Sequence, residues 1–236
     1  MTHTRLVSML ATGLALVGSA APARAQAAQN ALTPAEQAAG WRLLFDGRTT
    51  KGWRGYRMDS LPRGWQVVNG ALTRIAHAGD IVTKDKFANF ELTLEWNISA
   101  GGNSGVFYRA SEDDDAIYWN APEMQVLDDA RHADGQSRLT AAGAAYDVYP
   151  APAGFVKPAG QWNAVRLLVN GSHVEQWLNG EKVVEYEFAS PDWAARVKKS
   201  KFESHPHYGR NPTGYIGLQD HGDWVAFRNI KIRVLP

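Results

Sequence analysis

Glu123 and Gln125 alternate with Met124 and Val126 in residues 122–128 of this 236-residue chain. Read as a strand, the stretch carries a carboxylate and an amide on one side and two apolar side chains on the other. Two more stretches show the same split. Over residues 105–109, Phe107 and Arg109 alternate with Val106 and Tyr108; over 217–221, Gln219 and His221 lie opposite Leu218. If the three are neighbours in one sheet, Arg109, Glu123, Gln125, Gln219 and His221 line one polar face. A carboxylate and an imidazole can move protons, and a guanidinium can hold a developing negative charge. Amides donate and accept, which suits sugar hydroxyls. The competing reading is a solvated sheet face with ordinary polar residues.

The elements that must position these residues read as strands. Residues 90–98 alternate Phe90, Leu92, Leu94 and Trp96 with Glu91, Thr93, Glu95 and Asn97. Asn69-Gly70, Asn170-Gly171 and Asn179-Gly180 stand between strand-like runs as hairpin turns. Short strands are expected over residues 41–45, 65–68, 71–75, 81–83, 162–169, 173–178, 182–188, 215–219 and 224–234. A capped turn at Thr33 to Glu36 and a brief helix over 191–201 are the only helical signals. Residues 131–144 read as a long surface excursion. The pattern predicts an all-β, two-sheet antiparallel sandwich in one domain, residues 41–236, after a flexible lead-in over 26–40.

Arg5 precedes an apolar run from Leu6 to Val17, followed by Ala23-Arg24-Ala25. Such a pattern predicts a signal peptide over residues 1–25, hence export across the inner membrane to the periplasm. The run is short for a membrane span. Its removal takes Arg5 and Arg24 and no acid, so the net charge passes from +1 to −1. That balance offers no basic surface for nucleic acid. With no cysteine, an exported chain holds its fold by its core alone. Nine Trp and eight Tyr suit a β core or a sugar-binding surface.

Several pieces occur in a set order: Phe45-Asp46-Gly47 with Gly52-Trp53, Gly102-Asn103-Ser104-Gly105 running on to Arg109, residues 122–128, Trp162-Asn163, Leu178-Asn179-Gly180, and residues 217–222. Together they resemble the bacterial 3-keto-disaccharide hydrolase domain family, over about residues 41–236. The resemblance implies a concanavalin/laminin-G-like jelly roll and chemistry on sugars oxidised at C3. A C3 ketone acidifies the C2 proton, so a base can remove it and expel the C1 aglycone; water then adds back. Such a site needs a base, an electrophile for the enolate oxygen and an acid for the leaving oxygen. A divalent metal can serve as the electrophile.

Glu123 and His221 are the candidates for base and for metal ligand, with Arg109 holding the ketone or enolate oxygen. Gln125 and Gln219 suit substrate hydroxyls. Asp128 falls opposite Glu123 in a regular strand and reaches the site only through a bulge. Trp119 could stack on a sugar ring or belong to the core. The family resemblance sets Tyr146 and Asp147 in the substrate cleft. Asn103 is read as capping the Gly-rich turn, and His205 and His207 as solvated histidines. Two rival functions stand beside this one. A glycoside hydrolase on unoxidised glycans needs two carboxyls about 5–9.5 Å apart, and Glu123 with Asp128 would be the pair. A carbohydrate-binding module needs only the aromatics and amides.

Overall fold

The computed structural model describes Met1 and residues 28–236. The expected leader, residues 1–25, lies outside the described residues, apart from Met1. The strands in chain order are β1 Trp41–Leu43, β2 Trp53–Gly55, β3 Trp65–Val68, β4 Ala71–Arg74, β5 Ile81–Thr83, β6 Phe90–Ile98, β7 Asn103–Ala110, β8 Glu123–Leu127, β9 Asn163–Asn170, β10 His173–Leu178, β11 Glu181–Glu187, β12 Tyr215–Leu218 and β13 Val225–Val234. Two short α-helices, α1 Pro34–Ala38 and α2 Pro191–Val197, complete the regular structure with two 3-10 turns. All strand pairs are antiparallel. One sheet runs β11-β10-β9-β6-β13-β4-β3, with β1 also paired to β13; the other runs β2-β5-β12-β7-β8. The result is a two-sheet antiparallel sandwich, as the alternation and turns predict, of the jelly-roll kind that the resemblance implies.

The two sheets meet through the apolar parity of their strands. Phe90, Leu92, Leu94 and Trp96 of β6 pack against Val106, Met124, Val126, Ile216 and Leu218 of the smaller sheet. Each such side chain contributes about 1.5–3 kcal/mol by leaving water. Asn69-Gly70 and Asn179-Gly180 turn with both residues at positive φ, the geometry that matches strand twist. The third hairpin is offset from expectation. Asn170 pairs with His173, so Gly171 and Ser172 form the loop, Gly171 alone taking positive φ.

Two further expectations change. Residues 28–40 do not trail freely. Asn30 N donates to Asn229 Oδ1 at 2.6 Å and Asn229 N to Asn30 Oδ1 at 2.8 Å, while Glu36 pairs with Lys231 at 2.7 Å. Residues 131–144 are no loose excursion either. Gly143 N donates to Gln125 O, Gln125 N to Ala144 O, and Tyr146 N to Glu123 O. The strap caps the open edge of β8, satisfying backbone groups that an edge strand leaves bare.

Candidate active site

The outer face of the smaller sheet carries a row of residues built by register. Gly105 of β7 pairs with Gln125 of β8, and Gln219 N donates to Gly105 O at 3.0 Å. The next row pairs Phe107 with Glu123. Met124, Val126 and Leu218 fill the core behind, all 0% exposed. The polar parity is not a solvated face, because Glu123 is 4% exposed and Gln125 1%. A cavity of about 310 Å³ opens over them, lined by Asn103, Tyr118, Trp119, Glu123, Gln125, Tyr146, Lys201, Gln219 and His221. That volume sits at the lower end of the roughly 300–1,000 Å³ typical of ligand pockets.

The cleft is rich in acceptors lacking donors. Among the described residues Asn103 Oδ1, Gln125 Oε1 and Gln219 Oε1 are buried without a hydrogen-bond partner. Gln125 Nε2 donates to Thr140 O at 3.0 Å, which fixes its amide and turns the oxygen away from that bond. A buried acceptor left unpaired costs about 1–3 kcal/mol, so three in one pocket call for a ligand rich in O–H donors or for a hard cation. Burial pushes the Glu123 carboxyl up to about 8; the Lys201 ammonium opposes the shift, while Asp80 and Asp134 add to it. Asp80, just before β5, is itself pushed up to about 6 by burial and accepts from Asp220 N at 2.8 Å.

Aromatic side chains wall the cleft. Trp119 stacks on His205, with ring centroids 3.7 Å apart and planes at 4°. Tyr118 meets Trp119 edge-on at 4.5 Å. Tyr146 is delivered by the strap, its hydroxyl donating to Asp134 Oδ2 at 3.3 Å. His221 is exposed at the rim, and its ring lies 6.3 Å from that of His132.

The structure brings Glu123, Gln125, Gln219, His221, Tyr146 and Trp119 together. It does not bring Arg109 or Asp128. The parity of β7 breaks at a bulge: Gly217 pairs with Phe107 but Tyr215 with Ala110, and Arg109 sits at φ 52°. Its guanidinium therefore leaves the polar face, donating from Nε and Nη2 to Ala88 O at 3.0 and 2.8 Å and lying over Phe188. Asp128 follows the end of β8 and accepts from Gly101 N at 2.8 Å, closing the Gly-rich turn. Glu123 and Asp128 are thus not assembled as the carboxyl pair of a glycosidase. Asn103 lines the cleft, and His205, read as solvated, is half-buried and stacks on Trp119 of its wall. Lys201, Asn103 and Tyr118 were missed as site residues. Alternation marked only residues on strands or their ends, and loop residues carry no periodicity to reveal their reach.

Glu123 and His221 belong to no group of three close metal-ligating side chains. Among the described residues the one such group is His173, Glu175 and Glu185, on the other sheet. There Lys182 Nζ already lies 3.3 Å from Glu175 and 2.5 Å from Glu185. A larger groove of about 1010 Å³ also lies on that sheet. Its Arg166, Arg228 and Lys231 are committed to Glu91, Glu175, Glu95 and Glu36, and none of the unpartnered buried atoms lines it.

Fold and cleft together define a jelly-roll β-sandwich with a buried carboxyl and a polar, aromatic-walled pocket on its smaller sheet. The chain belongs to the family described as the 3-keto-alpha-glucoside-1,2-lyase-like domain, whose profile matches residues 40–233. A protein of Bacteroides thetaiotaomicron named 3-keto-disaccharide hydrolase is 37% identical, over 83% of this chain and 79% of its own. A solved structure from Parabacteroides distasonis superposes with a TM-score of 0.82 at 35% identity, over 88% of this chain and all of that one. A Bacillus subtilis protein with a galectin-like fold shares the architecture at 15% identity and a TM-score of 0.51, over 79% of this chain and 92% of its own.

Proposed function

We propose that this protein hydrolyses 3-keto-glycosides by elimination and hydration at the Glu123 cleft. The observation that carries the reading is the buried Glu123 carboxyl, pushed up to about 8, beside three amide oxygens without donors. A base whose pKa approaches the working pH takes protons from carbon better than an ordinary carboxylate. Family membership and the 37% identical 3-keto-disaccharide hydrolase support the substrate class.

In this reading Glu123 takes the C2 proton, and the electron pair left behind forms a C2–C3 double bond with negative charge on the C3 oxygen. The ketone then re-forms, C1 and C2 become doubly bonded, and the C1–O bond breaks. His221 at the rim gives a proton to the leaving oxygen. Water adds to C1, returning a proton to His221, and Glu123, its carboxyl proton having exchanged with solvent, protonates C2. Asn103, Gln125 and Gln219 accept from sugar hydroxyls. If a hard divalent cation occupies the cleft, the three amide oxygens would hold it and it would polarise the ketone, leaving Glu123 and His221 to their proton transfers.

Purified residues 26–236 incubated with a 3-keto-disaccharide in deuterated water, with and without chelator, test the reading. Expected are the two sugars, with C2 deuterium entering the oxidised product faster than in an enzyme-free control. Cleavage without that label, or equal cleavage of the unoxidised disaccharide, would return the glycosidase alternative. Binding without cleavage would make the domain a binding module. We read the chemistry as periplasmic; N-terminal sequencing of the periplasmic form, beginning at Gln26, checks this.

A further inference from the structure

The sequence assigned the electrophile to Arg109, which the bulge removes. A different cation stands in the cleft. Lys201 lies in the loop after α2 and is, among the described residues, the sole Lys or Arg lining the cavity. Its Nζ is 4.3 Å from the ring centroid of Tyr146, 5.2 Å from Phe202 and 5.5 Å from Tyr118. Ring faces hold an ammonium electrostatically without taking its N–H bonds as a carboxylate would. Among the described residues Nζ has neither an ion-pair partner nor a hydrogen-bond acceptor, so its three donors are unspent. The main chain beneath is fixed, because Lys201 N donates to Asp147 Oδ2 at 2.7 Å. Asp147 follows Tyr146 in the strap that hangs on β8. One segment therefore sets both the nearest ring, Tyr146, and the anchor of the lysine.

We propose that Lys201 is the electrophile of this site, its ammonium donating to the C3 oxygen of a 3-keto sugar and holding the charge that forms there when the C2 proton leaves. The proposal rests on reading the cleft as a 3-keto-glycoside site. The C2–H bond breaks toward Glu123, its electron pair becomes the C2–C3 π bond, and the carbonyl pair moves onto oxygen. Lys201 keeps its proton throughout and forms no covalent bond. A group that stays charged suits an enolate better than a leaving oxygen, which must be given a proton. The same charge supports the ionised form of Glu123, whose carboxyl it pulls down against burial.

The test compares wild type, K201M, K201Q and K201R on a 3-keto-disaccharide in deuterated water. Met keeps the packing on the rings and removes the charge; Arg restores charge. Loss of one such donor is expected to lower kcat about 10²–10³-fold. C2 labelling should fall in step, KM should change less than about threefold, and the rising limb of the pH profile should move to higher pH. K201R should recover at least tenfold of the loss. Thermal unfolding identifies any variant that fails to fold, and K201Q against K201R then carries the comparison. Folded K201M or K201Q retaining a third or more of kcat overturns the proposal, as does loss of kcat with C2 labelling unchanged. A mass adduct on Lys201 after borohydride treatment with substrate also overturns it, since it would show a Schiff base. Wild type inactive on every 3-keto substrate overturns the underlying reading, whereas an active wild type with active K201M overturns only the role of Lys201.

Discussion

A methyl group on Gly105 would sit 2.0 Å from Oε1 of Glu123, so the glycine is the hollow into which the carboxylate leans. Gly105 lies beside Gln125 in the paired strand and bonds through its carbonyl to Gln219 N. Any side chain here would fill the space between the carboxylate and the two amides.

Gly105→Ala is expected to displace the carboxylate and lower kcat about 10²-fold, the cost of a misplacement near 1 Å. Overpacking should cost about 1–3 kcal/mol of stability, leaving the sandwich folded. Kinetics with urea unfolding check both. An unchanged kcat in the folded variant would show that the position of Glu123 does not limit the reaction.

Glu123 links activity and stability to pH with opposite signs. Its folded carboxyl is raised from the ordinary 4.5 to about 8. As the base it must ionise, so kcat/KM should rise with pH through about 8 and level off above it. For stability, the folded state binds the extra proton between those values. The contribution is whole below the ordinary value and is lost as pH rises through about 8. Glu123→Gln should abolish this slope and be more stable than wild type at pH 8.5 by about 1–3 kcal/mol, the range for relieving an uncompensated buried group. Urea midpoints at pH 5, 6.5 and 8.5 decide it, and parallel curves for the two proteins would contradict the shift.

Arg109 is expected to matter for folding and not for turnover. Arg109→Ala removes two hydrogen bonds to Ala88 O and exposes the bulge. The loss should be about 1–3 kcal/mol in unfolding free energy, with kcat within threefold of wild type. A hundredfold fall in kcat at unchanged stability would return Arg109 to the chemistry.

Trp119→Ala removes the platform stacked on His205. Aromatic contacts of this kind contribute about 0.5–1.5 kcal/mol beyond area. KM should rise about five- to twentyfold while kcat falls less. An effect confined to kcat would show that the ring orients the reaction instead of holding the sugar.

The sequence by itself determined the sandwich and half of the site. Alternation in β6, β8 and β12 decided which side chains enter the core, because a regular strand has a period of two and burial follows it. That is why Glu123, Gln125, Gln219 and His221 could be read onto one cleft. Only the tertiary structure decided the rest, for reasons that period two does not carry. One bulge, at Tyr108 and Arg109, reversed the parity of a residue that alternation had assigned to the site. Long loops brought in Lys201 and decided that Tyr146 and Trp119, already candidates by sequence, wall the cleft, and where a loop folds back depends on backbone hydrogen bonds to a distant strand edge, such as Tyr146 N to Glu123 O. The raised carboxyl of Glu123 was equally beyond the sequence, since burial comes from the strap and the loops that close over it.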